Sequence, residues 1–348
     1  MRSIALAVVA LQLTIATASA EDQITVDPSL ALGKSIGESE QAIRVRVGFE
    51  AAGLCADKKF GQLNELIKRY RDTEERTPSG TWKLAMVYQI GLYLLMPNDP
   101  DFEKNWAHIF ELGHEWIEKA PSPAPYIFLA NAYMNYGWQR SENAHDTKKV
   151  DFLAQTRIAR QLLEDNKQIA STDPNWYAVM ARVAAAQQWP EKDILPLYAE
   201  AVKARSNYYE TYFQFMDALV PYWKDSALGA VAFAHKAAEE NRAQGAKEIY
   251  MRVVWHAMIE KFAPYALPVN LPEMHASIED LVARYPSTWN LNNMAHIACR
   301  SGDKPLTKTL IDKMGDGTEL GRTASVDISA WEGDPGLFNN CQKWSHDG

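Results

Sequence analysis

The chain has 348 residues, 47% of them hydrophobic and 23% charged, and its formal net charge is -8. That apolar content supports a large core and excludes general disorder. An acidic balance with no block of Lys or Arg argues against nucleic acid as a partner, because phosphate affinity comes from clustered cations.

Residues 1–20 have a basic start at Arg2, an apolar run from Ile4 to Ile15, and Ala18-Ser19-Ala20 before Glu21. That order is the pattern of a cleaved export signal, and the run is short for a membrane span. An exported protein of the periplasm or outside is therefore expected, with no membrane span left after cleavage. Residues 21–38 are polar and read as an extended lead-in.

From residue 39 onward the apolar spacing is helical. Ser39 caps a helix expected to end at Gly53. Phe60, Leu63, Leu66, Ile67 and Tyr70 form one stripe of the next. Thr77-Pro78-Ser79-Gly80-Thr81 is a turn. Trp82 to Met96 is helical, and Asp101 caps a helix running to Lys119. Tyr126 to Trp138 follows, and then a long helix ending near Ala170. Asp173 to Trp223 reads as three helices, the first opened by Asn175-Trp176-Tyr177 and the third by Asn207-Tyr208-Tyr209. That spacing lies in the range of helical-repeat proteins. Helices from Asp225, Ala246, Pro272, Ser287 and Lys304 complete the series. No strand alternation is present. The fold expected is all-α: an α-solenoid of TPR-like hairpins with degenerate repeats over residues 39–314, and an irregular tail over 315–348 packed on the last hairpin.

The three cysteines are Cys55, Cys299 and Cys341. They permit three single pairings. Cys299–Cys341 is favoured, since it would pin the tail to the last hairpin. C-x-x-C and zinc-ligand spacings are absent, as are the G-x-S-x-G, Walker and G-x-G-x-x-G signatures. No cofactor is implied. His108, Glu111 and Glu115 share one helical face, which should point to water. His235, His256, His275 and His296 fall on four successive helices, and His296 lies away from the packing side of its own.

Aromatic residues crowd the middle of the chain. Large rings pack helical repeats together, and Tyr or Trp can bury a ring while keeping a polar tip satisfied. The sharper alternative is a groove for a protein or peptide, with Tyr126, Tyr133, Trp138, Trp176, Tyr208, Tyr209, Tyr212 and Trp223 as anchors.

Four short pieces carry a family resemblance: Thr77 to Leu84, Tyr136 to Arg140, Asp173 to Tyr177 and Pro221 to Ser226. With the closing helix pair and Cys341 they span roughly residues 50–344. In that order they resemble an uncharacterised bacterial family of exported, TPR-like helical proteins, a domain of unknown function. The resemblance implies fold and export and attaches no activity. The expectation is a non-enzymatic binding scaffold of the bacterial periplasm. The alternative is an all-helical cell-envelope enzyme with a His/carboxylate site. The sequence leaves the oligomeric state open.

Overall fold

The computed structural model describes residues 39–95, 101–142, 152–260, 267–314 and 326–347. The expected signal and lead-in lie outside them. The described chain is all-α, and its only β-type pairing is the bridge between Arg76 and Trp82. No described helix is long and apolar enough to cross a membrane.

Sixteen α-helices are described. The first eight are α1 (Glu40–Ala56), α2 (Phe60–Asp72), α3 (Lys83–Leu94), α4 (Phe102–Lys119), α5 (Pro123–Glu142), α6 (Phe152–Asp165), α7 (Lys167–Ala170) and α8 (Asn175–Ala186). The rest are α9 (Glu191–Ala204), α10 (Tyr209–Leu219), α11 (Ser226–Glu240), α12 (Glu248–Glu260), α13 (Leu271–Arg284), α14 (Thr288–Arg300), α15 (Lys304–Met314) and α16 (Pro335–His346). Side-chain caps start many of them. Ser39 accepts from the Ala42 amide, Asp101 from Glu103 and Lys104, Asp225 from Ala227 and Leu228, and Ser287 from Asn290. Each cap satisfies amides that the first turn leaves unpaired, which is worth about 1 kcal/mol.

The helices pack as one row with a second set laid against it. In the row α1 touches α3, α3 touches α5, α5 touches α8, α8 touches α10 and α10 touches α12. Helix α14 joins through the Trp255 and Trp289 rings, 6.5 Å apart. In the second set α2 packs on α1 and α3, α6 on α5 and α8, α9 on α8 and α10, and α13 on α12 and α14. Helix α8 lies at the centre, and nearly all of its residues are buried. Its alanines let neighbours approach closely. Its partly exposed arginine, Arg182, donates to the side-chain oxygens of Asn131 and Asn135 on α5.

Three local expectations change. Helix α1 does not stop at Gly53 but runs to Ala56, and closes at Lys58, whose φ is 55°. Gly53 meets nothing within 4 Å and Cys55 beyond it is buried, so packing outweighs the roughly 1 kcal/mol cost of a helical glycine. The helix expected to reach Ala170 breaks at Asn166, whose amide donates to the Leu162 carbonyl. The tail is not wholly irregular, because α16 is a regular helix capped by Asp334 with Pro335 in its first turn. It packs on α14 and α15, and a disulfide joins Cys341 to Cys299 on α14. Trp331, fully buried before it, donates to Asn292 at 2.9 Å.

Candidate functional site

The residues 77–81, between α2 and α3, fold back on themselves. The Thr77 amide reaches the Thr81 carbonyl and the Gly80 amide reaches the Thr77 carbonyl, both at 2.8 Å. Gly80 has φ +86°, and an added Cβ would lie 2.3 Å from Arg252 Nη2 and 2.7 Å from the Tyr285 ring. Only glycine meets both demands. The Ser79 carbonyl accepts from Arg252 Nη2 at 2.9 Å and from Asn290 Nδ2 at 3.1 Å, across 173 and 211 residues of sequence. The loop thus lies against α12 and the first turn of α14, far along the chain.

Glu40, the first residue of α1, holds the other side of the loop. It accepts from Thr77 Oγ1 at 2.6 Å, Ser79 Oγ at 2.7 Å, the Ser79 amide at 3.0 Å and Arg44 Nε at 2.8 Å. Burial alone would raise this carboxyl. The Arg44 charge and the hydrogen bonds from Thr77, Ser79 and Arg44 outweigh burial and hold it below the usual carboxylate range. Around the loop, Arg76 lies over the Trp82 and Tyr209 rings, and Arg252 over Tyr209 and Tyr285. These guanidinium–ring contacts cover cations that, among the described residues, no carboxylate oxygen approaches as closely as Arg44's does. The loop and its partners form a sealed floor.

Beyond the floor, side chains of α1, α3, α10, α12 and α14 face one another and form an inner wall. Arg44 reaches across from α1 to the Trp289 ring on α14, 5.2 Å from its centroid. On α10, Glu210, Phe213 and Asp217 follow steps of three and four, which puts them on one side of the helix. Phe213 stacks on His256 of α12 at 4.7 Å, and His256 Nε2 lies 3.3 Å from Asp217 Oδ1. Phe213, Trp255 and Trp289 are each only partly buried. Glu210 is 9% exposed. Burial pushes its carboxyl up; His256, a hydrogen bond from Gln89 and Arg44 offset part of that, and Asp217 adds to it.

The eight aromatics expected to line a groove do not gather into one. Trp176, Tyr208, Tyr209 and Tyr212 are interior. Each sends its polar tip to a partner: Trp176 donates to the Leu163 carbonyl, Tyr208 to Asn175 and Tyr209 to Glu248, while Tyr212 accepts from Asn241. With those tips satisfied, the rings stay in the core rather than on a binding surface. Tyr133 stacks on Phe110 at 4.5 Å, and Trp138 meets Phe152 edge-on at 6.0 Å. Trp223 covers Gly229 and lies 5.9 Å from Phe233. Tyr126 is half-buried against the core. The wall uses other rings, Phe213, Trp255 and Trp289. Their signal in the sequence was the spacing Glu210–Phe213–Asp217 and Arg252–Trp255–His256, polar and aromatic positions sharing one side of a helix.

The histidines do not converge either. His235 pairs with Glu273, His256 with Asp217, His275 with Asp303 and Glu279, and His296 with Glu332. On α4, Glu115 is taken by Lys58 and Lys119 rather than by His108. Among the described residues, no group of three or more His, Cys, Asp or Glu is placed to hold a metal ion. Burial pushes the free Cys55 thiol up to about 12, which keeps it protonated and unreactive at neutral pH.

No family model matches this sequence, no curated protein is similar to it at a significant level, and no solved structure matches it. The site is therefore read from its own residues.

Proposed function

We propose that the protein is an exported, non-enzymatic binding scaffold, built as a TPR-like α-solenoid, that engages a protein or peptide segment along the inner wall of α10, α12 and α14. One observation carries this reading. Three partly open rings, Phe213, Trp255 and Trp289, stand on the same wall as Glu210, Gln89 and Asp217. Aromatic anchors beside a few fixed polar groups are what a peptide-binding surface needs. The row of packed helices supports the solenoid part, since the helix contacts join helices one to three apart in the chain. The export part rests on residues 1–20 and on the resemblance to an exported helical family. Fractionation of cells, with sequencing of the mature N-terminus, should find a chain beginning at Glu21; an unprocessed chain in the cytoplasm would overturn export.

Binding is tested by panning a random peptide library on the purified protein. Enriched peptides should change indole fluorescence, and Phe213→Ala and Trp289→Ala should weaken them while the helical circular-dichroism signal is kept. Failure to enrich any peptide, or binding indifferent to both variants, would contradict the reading. A second reading, a His/carboxylate enzyme, has one observation in its favour: His256 and Asp217 pair beside the raised Glu210 carboxyl. Mass spectrometry of the peptide after incubation separates the two, cleaved for the enzyme and intact for the scaffold.

A further inference from the structure

Glu210 is a buried carboxyl whose hydrogen bond comes from a neutral amide, that of Gln89. It is nine-tenths buried, and among the described residues no Lys or Arg nitrogen lies within ion-pair distance of it. Of the two basic groups that act on it, His256 is taken by Asp217, and Arg44 is spent on Glu40, Ser79 and Thr81. Gln89 supplies only a neutral amide. A carboxylate removed from water without a counter-charge costs free energy. The next residue on that side of α10, Phe213, is partly open. A buried carboxyl with no cation beside it, on a partly open wall, is one that a cation arriving from outside would draw into its ionised form.

We propose that this wall docks a basic segment of a partner polypeptide, with Glu210 receiving a lysine or arginine side chain. This deepens the peptide-binding reading above and rests on it. Glu210 lies one turn from Phe213 on α10, so an incoming cation finds a carboxyl beside an aromatic ring, while Asp217 is already paired with His256. The apolar stem of a lysine or arginine would lie on Phe213 and Trp255 while its charged end reaches Glu210. The Trp289 ring already carries one guanidinium, that of Arg44, so a ring on this wall accommodates a cation. The net charge of -8 attracts a basic partner from a distance. An acidic segment would fare worse. Arg252, the buried cation of the floor, is 6% exposed and closed off by the Ser79 carbonyl and the Tyr209 and Tyr285 rings.

The test uses the full mature chain and three short peptides of equal length: lysine alternating with alanine, glutamate alternating with alanine, and serine alternating with alanine. Indole fluorescence and calorimetry read the binding. The lysine peptide should bind at least about tenfold more tightly than the other two, and Glu210→Gln should remove about tenfold of that affinity. Glu118→Gln, an exposed carboxylate on α4, should change nothing. Phe213→Ala should also weaken the lysine peptide, which guards against a misfolded Glu210 variant. Equal binding of the three peptides, or equal losses from Glu210→Gln and Glu118→Gln, would overturn the preference for a basic partner and leave peptide binding standing. Library panning that enriches nothing, together with silence from all three peptides, would overturn both.

Discussion

Two glutamates face the same interior and have opposite surroundings. Glu40, in the floor, accepts four hydrogen bonds, one of them from Arg44. Its carboxyl is held below the usual range. Glu210, in the wall, has an amide beside it, and its carboxyl is pushed above the usual range by burial. Burial is similar for both, at 6% and 9% exposure. What differs is whether the chain supplies a cation and several donors. Where it does, a buried charge ties distant helices together. Where it supplies one neutral amide, the carboxyl adds little to the fold and can meet a ligand.

The largest effect should separate the two directly. Glu40→Gln leaves Arg44 without its carboxylate and turns an amide toward the Ser79 N–H, and urea unfolding should show a loss of about 3–5 kcal/mol. Glu210→Gln should stay within about 1 kcal/mol of the parent or gain stability. Equal losses would erase the distinction. Gly80→Ala comes next, at about 2–4 kcal/mol, from a positive φ and from the collision with Arg252 and Tyr285. Arg252→Ala removes one of the two donors on the Ser79 carbonyl. It should cost about 1–3 kcal/mol and speed hydrogen exchange at the Ser79 amide, while amides of α10 stay protected.

The dependence on pH sharpens the contrast by sign. Glu40, held low, stabilises the fold above the usual carboxylate range, and that part is lost as pH falls through its folded value. Glu210, held high, acts the other way: the folded state keeps its proton longer, so stability is lost as pH rises past the usual range. Asp173 belongs with Glu210. Burial pushes it up to about 6, even though it accepts from Tyr88 and the Asn175 amide. Its part of the stability is lost as pH rises from the usual Asp range through about 6. Asp173→Asn should therefore flatten the decline between those values, by the smallest margin of the set, in thermal melts taken across the range.

The helices themselves were readable because their causes are local. The stripe Phe60, Leu63, Leu66, Ile67 and Tyr70 is buried at every position. The caps at Ser39, Asp101 and Asp225 act over two or three residues. Helix α16 had its signal too, Asp334 followed by Pro335, but a run rich in Gly and Asp before it masked the start. The floor was not readable. Ser79 meets Asn290 across 211 residues, and no periodicity reports such a pairing. The aromatic residues misled for a chemical reason. A tyrosine or tryptophan in sequence does not reveal whether its polar tip finds a partner inside, and Tyr208, Tyr209 and Trp176 all do.

The most direct measurement is a carbon-13 NMR titration of the Glu210 carboxyl, with and without the lysine–alanine peptide. In the free protein Glu210 should titrate above the usual carboxylate range, and the bound cation should bring it down, since an opposite charge favours the ionised form. A carboxyl that titrates in the usual range without peptide, or one that the bound peptide leaves unmoved, would contradict a buried carboxyl on the wall that a basic partner pairs with.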